Sequence, residues 1–220
     1  MTTAIITGGS RGLGRALAEG LAGAGWSVVV DGRDAAALTG FGPRVTAVPG
    51  SVTDPAHRAA LLSAADRSGG ADLLVNNAGI LGPSPQPRLA DYPEAALRDV
   101  YEVNVHAPLA LTQLALPSLR KRGGAVVNVT SDAAVEAYPG WGGYGSAKAA
   151  VEQLSRILAA EEPDVRVWWV DPGDLRTRMH QEAFPGEDIS DRPEPATVVP
   201  AFLRLLAARP ESGRIRLARW

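Results

Sequence analysis

Cysteine is absent from the 220 residues of this chain, and histidine occurs only three times. The lack of cysteine excludes disulfides and thiolate catalysis and removes the commonest zinc ligand. The histidines, His57, His106 and His180, are far apart and lack the spacing of metal ligands. We therefore expect each of them to be a surface or packing residue, and the sequence predicts no metal site.

Long apolar runs and dense basic clusters are also missing. No apolar stretch reaches the 18 residues of a membrane span. The apolar segment before Gly8 is too short for a signal peptide and predicts a first strand, so we expect a cytoplasmic protein with no membrane partner. The net charge is −2 and no Lys/Arg run is longer than Arg120-Lys121-Arg122, which predicts no nucleic-acid partner.

Lysine is scarce, since only Lys121 and Lys148 occur among 22 basic residues. Lys148 follows Tyr144 by four positions, so both side chains share one face of a helix that starts near Tyr144. At ~5 Å and an effective dielectric of ~20, an ammonium would stabilise the phenolate by about 3 kcal/mol. We therefore expect the pKa of Tyr144 to fall by about 2 units, which suits a general acid or base near neutral pH.

Ser131 completes the pattern Ser-x12-Tyr-x3-Lys. A seryl hydroxyl at the end of a strand is suited to holding a carbonyl or alcohol oxygen against Tyr144. The three residues together predict a carbonyl/alcohol redox site. A Tyr–Lys pair by itself is more often a solvated helix face.

Short β-branched runs alternate with longer helical patterns, which predicts an α/β fold: a doubly wound parallel sheet with helices on both faces. With 45% hydrophobic and 21% charged residues, we expect residues 1–220 to form a single domain. Seven strands are predicted: Ala4–Thr7, Ser27–Asp31, Val45–Val48, Asp72–Asn76, Ala125–Thr130, Val165–Val170 and Arg214–Leu217. Five helices are predicted: Gly12–Ala24, Pro55–Ser68, Pro93–Arg120, Tyr144–Glu161 and Ala196–Ala208. Gly82–Arg88 and Met179–Pro195 are predicted to be irregular, the second either a lid over a ligand or a plain connector.

A glycine-rich segment directly follows the first predicted strand and opens the first helix. Gly8, Gly12 and Gly14 lie within Thr7–Gly14 (TGGSRGLG). Glycines allow the backbone to approach a pyrophosphate, and the free N–H groups of a helix N-terminus then face that anion. The position of this segment therefore predicts a dinucleotide-binding turn.

The end of the second strand, VVVDGRD, should decide which nicotinamide cofactor binds. A carboxylate that accepts both ribose hydroxyls favours NAD, and a guanidinium favours the 2′-phosphate of NADP. The segment offers both, as Asp31 and Arg33. We interpret Arg33 and Arg11 as a phosphate clamp, with Asp31 turned elsewhere; the alternative is that both arginines are solvated.

Six motifs in order resemble the short-chain dehydrogenase/reductase family, in its single-domain branch. They are TGGSRGLG, NNAG at Asn76–Gly79, Asn104, Ser131, YGSAK, and Asp171-Pro172-Gly173. The resemblance implies a Rossmann-type fold of about seven parallel strands, NAD(P) binding, and a homodimer or homotetramer. Its family pattern places the NAD-selecting aspartate at Gly32 and the phosphate-binding arginine at Arg33, which implies that NADP(H) is favoured over NAD(H). Ser51 departs from the pattern, which usually has an aspartate near the adenine.

The resemblance also implies residue roles. Tyr144 would be the proton donor, Lys148 would hold the nicotinamide ribose and lower the pKa of Tyr144, Ser131 would position the substrate oxygen, and Asn104 would hold a water. The implied cofactor-binding residues are Gly8, Ser10, Arg11, Gly12, Leu13, Gly14, Arg33, Val52, Asn77, Ala78, Gly79, Tyr144, Lys148, Pro172, Gly173 and Thr177.

These observations predict an NADPH-dependent oxidoreductase that reduces a ketone or aldehyde. One alternative is an NAD-linked alcohol dehydrogenase with the same fold. Another is a non-catalytic nucleotide-sensing protein, which is disfavoured because such proteins typically lose the tyrosine or the lysine. The sequence does not identify the small-molecule substrate; the candidate pocket residues are Ala133, Val135, Tyr138, Trp141 and the Met179–Pro195 loop.

Overall fold

The strands form one seven-stranded parallel sheet in the order β3-β2-β1-β4-β5-β6-β7, in a computed structural model that describes residues 2–220. Every neighbouring pair is parallel. The strands are β1 Thr3–Ile6, β2 Ser27–Gly32, β3 Val45–Pro49, β4 Leu73–Asn76, β5 Ala125–Val129, β6 Arg166–Asp171 and β7 Gly213–Arg216. The predicted α/β, Rossmann-type fold with seven parallel strands is confirmed, and each predicted strand lies within one residue of the observed bounds.

Helices cover both faces of the sheet. They are α1 Gly12–Gly23, α2 Pro55–Asp66, α3 Glu94–Tyr101, α4 Ala107–Arg122, α5 Gly142–Glu161, α6 Arg178–Ala183 and α7 Val199–Ala208. Successive side chains of β1 point to opposite faces of the sheet, so they belong to two different apolar clusters of the core. Ala4 and Ile6 belong to the apolar cluster that includes α1 and α7, whereas Ile5 belongs to the cluster that includes α2 and α4. No helix within residues 2–220 has the length and apolarity needed to cross a membrane.

The two edge strands are less buried than the five inner strands. In β3 no residue is fully buried, and in β7 only Ile215 is. An edge strand has a neighbour on one side only, so part of its surface stays in contact with water.

The long helix predicted at Pro93–Arg120 is interrupted. Helix α3 leads into a π-helical turn, Glu102–His106, before α4 begins. Pro108 lies in the first turn of α4. Because proline has no N–H, it leaves the carbonyl of Asn104, four residues earlier, without its usual helical donor. The regular helical hydrogen-bond pattern is thus broken at the turn that contains Asn104.

The segment Met179–Pro195, predicted to be irregular, begins within the short helix α6. The hydroxyl of Thr177 accepts the backbone N–H of His180 at 3.1 Å and caps this helix. Arg178 and Glu182 pair one turn apart on its surface. Six residues are too few for an apolar periodicity to appear in the sequence, which is why the sequence did not predict this helix.

Candidate active site

A large cavity lies at the carboxyl ends of the strands, where doubly wound sheets bind ligands. Its volume is 1320 Å³. It brings together all the predicted catalytic and cofactor-binding residues except Asn104: Gly8, Ser10, Arg11, Gly12, Leu13, Gly14, Arg33, Val52, Asn77, Ala78, Gly79, Ser131, Tyr144, Lys148, Pro172, Gly173 and Thr177. The loops after six different strands therefore converge on one space large enough for a dinucleotide and a small substrate.

The glycine-rich turn is packed tightly at Gly8 and Gly14. A Cβ at Gly8 would lie 2.9 Å from the Cα of Ala78, and Gly8 has a φ of +70°, which favours glycine. A Cβ at Gly14 would overlap the carbonyl oxygen of Gly8. Helix α1 starts here without a side-chain cap and without an acidic residue in its first turn. Its first N–H groups and positive dipole end are thus left for an anion, and the turn fits a pyrophosphate.

The end of β2 holds charges of both signs in different environments. Arg11 and Arg33 are exposed and line the same cavity. Asp31 is buried; one carboxylate oxygen accepts the N–H of Gly8 at 2.6 Å and the other contacts Nε2 of His57 at 3.0 Å. Both oxygens of Asp31 are therefore engaged within the protein, in keeping with the interpretation that Asp31 is turned elsewhere.

Tyr144 and Lys148 lie on the buried side of α5, with 8% and 4% of their surface exposed. Glycines on both sides of Tyr144 bring the start of this helix close to the Ser131 loop. A Cβ at Gly145 would lie 2.7 Å from the carbonyl oxygen of Ala133, and one at Gly143 would overlap the phenol of Tyr92. The glycine-rich start of α5 therefore places Tyr144 against the loop that carries Ser131.

The protonation properties of this pair differ from the sequence-based expectation. Burial raises the pKa of Tyr144 well above its ordinary value, and the carboxylates of Asp132 and Asp171 raise it further. Burial also lowers the pKa of Lys148 to about 8. The Lys148 ammonium lies 5.4 Å from the Tyr144 ring centroid and donates to the carbonyl of Val129 at 2.7 Å. The predicted fall in the pKa of Tyr144 is wrong for this structure, because desolvation dominates and the two nearby carboxylates act in the same direction.

Asp132 is a site residue that the sequence reasoning missed. The hydroxyl of Ser131 donates to one oxygen of its carboxylate at 2.9 Å, and the phenol of Tyr138 donates to the other at 3.0 Å. Asp132 also lines the cavity. Its position directly after Ser131 was the available signal. The Asp132 carboxylate thus orients the hydroxyl of Ser131.

Arg214, on the edge strand β7, links three parts of the site. Its guanidinium donates to buried Glu152 of α5 at 2.9 Å, to Asp171 at 3.1 Å and to the carbonyl of Ser131 at 3.1 Å. Asp171 in turn accepts the N–H of Gly173 at 3.0 Å. This network fixes the Ser131 loop relative to the Pro172-Gly173 turn. No local sequence pattern indicates it, since Arg214 and Ser131 are 83 residues apart.

Asn104 lies outside the cavity lining. Its side chain is buried and forms two hydrogen bonds with the backbone of Ile80: the oxygen accepts the N–H at 2.9 Å and the amide donates to the carbonyl at 2.8 Å. Ile80 itself lines the cavity. The side chain of Asn104 therefore holds the loop after β4 in place.

The wall beyond Tyr144 is apolar and aromatic. Trp141 contacts Tyr144 and Phe184 with ring centroids 5.9 Å apart in each case. Met179 of α6 packs on the same cluster. Trp141 and α6 line the cavity, whereas Ala133, Val135 and Tyr138 are not among its lining residues. Of the predicted pocket residues, Trp141 and part of the Met179–Pro195 segment therefore line the cavity.

Comparison with known proteins gives a consistent classification. Residues 2–188 match the family described as short chain dehydrogenase. The chain is 36% identical over 182 residues to an uncharacterized oxidoreductase of Saccharomyces cerevisiae, covering 80% of this chain and 71% of that protein. It is 33% identical over 198 residues to an NADPH-dependent aldehyde reductase-like protein, chloroplastic, of Arabidopsis thaliana, with coverage of 80% and 73%.

Among solved structures, an alcohol dehydrogenase from the archaeon Thermococcus sibiricus complexed with 5-hydroxy-NADP aligns with a TM-score of 0.87 and 28% identity. The alignment covers 98% of this chain and 90% of that one. The chain belongs to the short-chain dehydrogenase/reductase family. It is accordingly an NAD(P)-dependent oxidoreductase that acts on CH–OH or C=O groups.

Proposed function

We propose that the protein is an NADPH-dependent reductase of a ketone or aldehyde, with Tyr144 as the proton donor. The observation that carries this proposal is the arrangement of Ser131, Tyr144 and Lys148 around the same cavity as the glycine-rich turn. The raised pKa keeps the Tyr144 phenol protonated in the cofactor-free protein, so the proton to be donated is in place, and the nearby Lys148 ammonium would stabilise the phenolate as the proton leaves.

The residues around the cavity fit a nicotinamide dinucleotide. The turn at Gly8–Gly14 would hold the pyrophosphate, and Asn77, Ala78 and Gly79 would lie against the adenosine ribose. Lys148, Pro172, Gly173 and Thr177 would lie at the nicotinamide end. When bound, the cofactor supplies hydride to the carbonyl carbon.

Side chains of the protein would protonate and orient the substrate oxygen. Tyr144 donates its proton to that oxygen, and the hydroxyl of Ser131 orients it. Lys148 is held by the carbonyl of Val129 with its ammonium 5.4 Å from the Tyr144 ring, close enough to stabilise charge that develops on the phenol. We assign to the carbonyl of Asn104, released by Pro108, the role of holding a water that links Lys148 to solvent.

The preference for NADPH follows from the charges at the adenosine end. Arg11 and Arg33 present exposed guanidinium groups to the cavity, whereas both carboxylate oxygens of Asp31 are engaged elsewhere. A 2′-phosphate would gain two charge-assisted partners there, and a free ribose diol would lack a carboxylate acceptor. Known relatives agree with this preference: one is described as an NADPH-dependent aldehyde reductase-like protein, and one solved structure contains 5-hydroxy-NADP.

A panel of aldehydes and ketones, including aromatic ones that suit the Trp141 wall, tests the proposal. Each compound is incubated with the protein and NADPH, and loss of nicotinamide absorbance is followed. We expect turnover of at least one compound, dependent on Tyr144. Tight NADPH binding without turnover of any compound would instead favour a non-catalytic nucleotide-binding protein.

A further inference from the structure

We infer that the carbonyl substrate also carries a hydroxyl group, which donates a hydrogen bond to Nε2 of His180 while the carbonyl group lies against Tyr144. The inference rests on the proposed function, because it names the substrate class of the same site. The sequence suggested only a surface or packing role for His180. The imidazole instead lines the cavity from helix α6.

A series of ring contacts connects His180 to the catalytic tyrosine. The imidazole packs on Phe184 with ring centroids 4.9 Å apart. Phe184 contacts Trp141, and Trp141 contacts Tyr144, at 5.9 Å in each case. Trp141 and His180 both line the cavity. A substrate ring that packs on Trp141 with its carbonyl group at Tyr144 would therefore have its far end on the side of His180.

One nitrogen of this imidazole is unsatisfied. The side chain of His180 is 10% exposed, and its Nε2 is buried without a hydrogen-bond partner among residues 2–220. A buried polar atom normally has a partner, which is a protein group, a water molecule or a ligand, because leaving it unpaired is unfavourable. A substrate group that enters the cavity beside His180 and completes this hydrogen bond would remove that penalty.

Asp174 determines which kind of partner Nε2 requires. Nδ1 of His180 faces a carboxylate oxygen of Asp174 at 3.9 Å. A carboxylate only accepts hydrogen bonds and attracts a protonated nitrogen, so in the neutral imidazole the proton lies on Nδ1. Nε2 then carries a lone pair and acts as an acceptor. The missing partner of Nε2 is therefore a hydrogen-bond donor.

The charged groups at this end of the cavity disfavour an anionic substrate. Asp132 and Asp174 both present carboxylates to the cavity, and the side chain of Asp174 is 63% exposed. The two arginines of the neighbouring segment are each paired with a glutamate: Arg176 with Glu194 and Arg178 with Glu182. A carboxylate on the substrate would be repelled by the two aspartates and would compete with a glutamate for either arginine. A hydroxyl group is neutral and able to donate, so it suits both His180 and these surroundings.

The experiment compares benzaldehydes that differ in one substituent. The hydroxymethyl compound, in its para and meta isomers, is matched with the ethyl compound of similar size, and the para-carboxy compound is the anionic member. NADPH-dependent turnover gives kcat/KM for each, and quenching of tryptophan fluorescence in the protein–NADP⁺ complex gives the binding affinity. In at least one isomer we expect the hydroxymethyl compound to exceed the ethyl compound by about tenfold, the effect of one hydrogen bond to a buried acceptor. The carboxy compound should be the poorest.

Variants of His180 separate recognition by the protein from the intrinsic reactivity of the compounds. His180→Phe removes the acceptor and keeps a ring that packs on Phe184, so the hydroxymethyl-to-ethyl ratio should fall by about tenfold. His180→Leu should give the same fall if the phenylalanine variant folds poorly, whereas His180→Gln keeps a polar group near Nε2 and should retain most of the ratio. Incomplete folding cancels from the ratio, because both compounds are measured on one preparation. His106→Phe is the matched control, since His106 forms an exposed pair with Glu102 at 3.5 Å.

The outcomes distinguish this inference from the proposed function. If the ratio is the same in wild type, His180→Phe and His180→Leu, His180 does not recognise the hydroxyl group and the inference is overturned, while turnover of these aldehydes still supports an NADPH-dependent reductase. A wild type that prefers the carboxy compound would also overturn it. If no compound is turned over but the hydroxymethyl compound binds more tightly than the ethyl compound, and only while His180 is present, the proposed function alone is contradicted.

Discussion

The two ends of the cavity hold positive charge in opposite ways. At the adenosine end, Arg11 and Arg33 are exposed, and their charges are screened by solvent and salt. At the catalytic end, Lys148 is 4% exposed and its pKa is lowered to about 8, while the neighbouring phenol of Tyr144 has a raised pKa. Burial penalises the charged form of both groups. At the adenosine end, the positive charges act by attracting an anion. At the catalytic end, the cost of desolvation determines which side chains are charged.

The first and largest expected effect concerns the catalytic end of the cavity. Tyr144→Phe removes the phenolic proton and keeps the ring that packs against Trp141. Turnover should fall by ~10²–10⁴-fold, the usual effect of losing a general acid, while NADPH still binds. Steady-state kinetics and a cofactor titration measure the two effects, with Tyr101→Phe as the control. Near-normal turnover of Tyr144→Phe would show that another group supplies the proton.

A second variant tests whether the buried cation must be compact. Lys148 donates a hydrogen bond to the carbonyl of Val129 at 2.7 Å, and a larger, planar guanidinium would not reproduce the position of this compact ammonium. Lys148→Arg should therefore reduce turnover by about 10²-fold although the formal charge is kept. Lys121→Arg, the other lysine of the chain, is exposed and should be unaffected. Equal activity of wild type and Lys148→Arg would count against the proposed role.

The lowered pKa of Lys148 also predicts a pH dependence of stability. Its pKa falls from 10.5 in the unfolded chain to about 8 in the folded protein. The unfolded state thus binds more protons between these values, and the free energy of unfolding should rise with pH across this window. Between about pH 7 and 9.5 this contribution amounts to about 2 kcal/mol.

Urea unfolding of the cofactor-free protein at both pH values, compared with Lys148→Met, isolates this contribution. The methionine variant should lack the gain of about 2 kcal/mol, whatever its absolute stability. Tyr144 does not interfere below about pH 10, because its raised pKa destabilises the folded state only where the unfolded phenol ionises. An identical pH dependence in both proteins would mean that the Lys148 ammonium is not desolvated.

The smallest expected effect is at the adenosine end of the cavity. Arg33→Ala should weaken NADPH binding by about tenfold and leave NADH binding nearly unchanged, because an exposed guanidinium retains only part of its attraction for a phosphate. The difference should shrink at high salt. Titration of both cofactors measures this, with exposed Arg44→Ala as the control. If wild type binds NADH as tightly as NADPH and Asp31→Ala weakens NADH, the cofactor assignment is reversed.

Local pattern was sufficient for most of the fold. The seven strands follow from short β-branched runs and the main helices from apolar periodicity, and both are properties of neighbouring residues. The π-helical turn after α3 was missed because it lies within one continuous helical pattern, and the short helix α6 was missed because it spans only six residues. The glycine-rich turn and the Ser131, Tyr144 and Lys148 positions were identified because the chemistry of such sites requires fixed spacings along the chain.

The sequence by itself determined which side chains are available: two arginines near β2, one lysine four residues after Tyr144, and glycines where the backbone is crowded. Only the tertiary structure decided what those side chains do. Burial reversed the expected pKa of Tyr144, His57 and Gly8 engaged both oxygens of Asp31, and Arg214 reached Ser131 from the far edge of the sheet. Desolvation and long-range hydrogen bonds depend on which segments pack together, and this information is not present in the spacing of neighbouring residues.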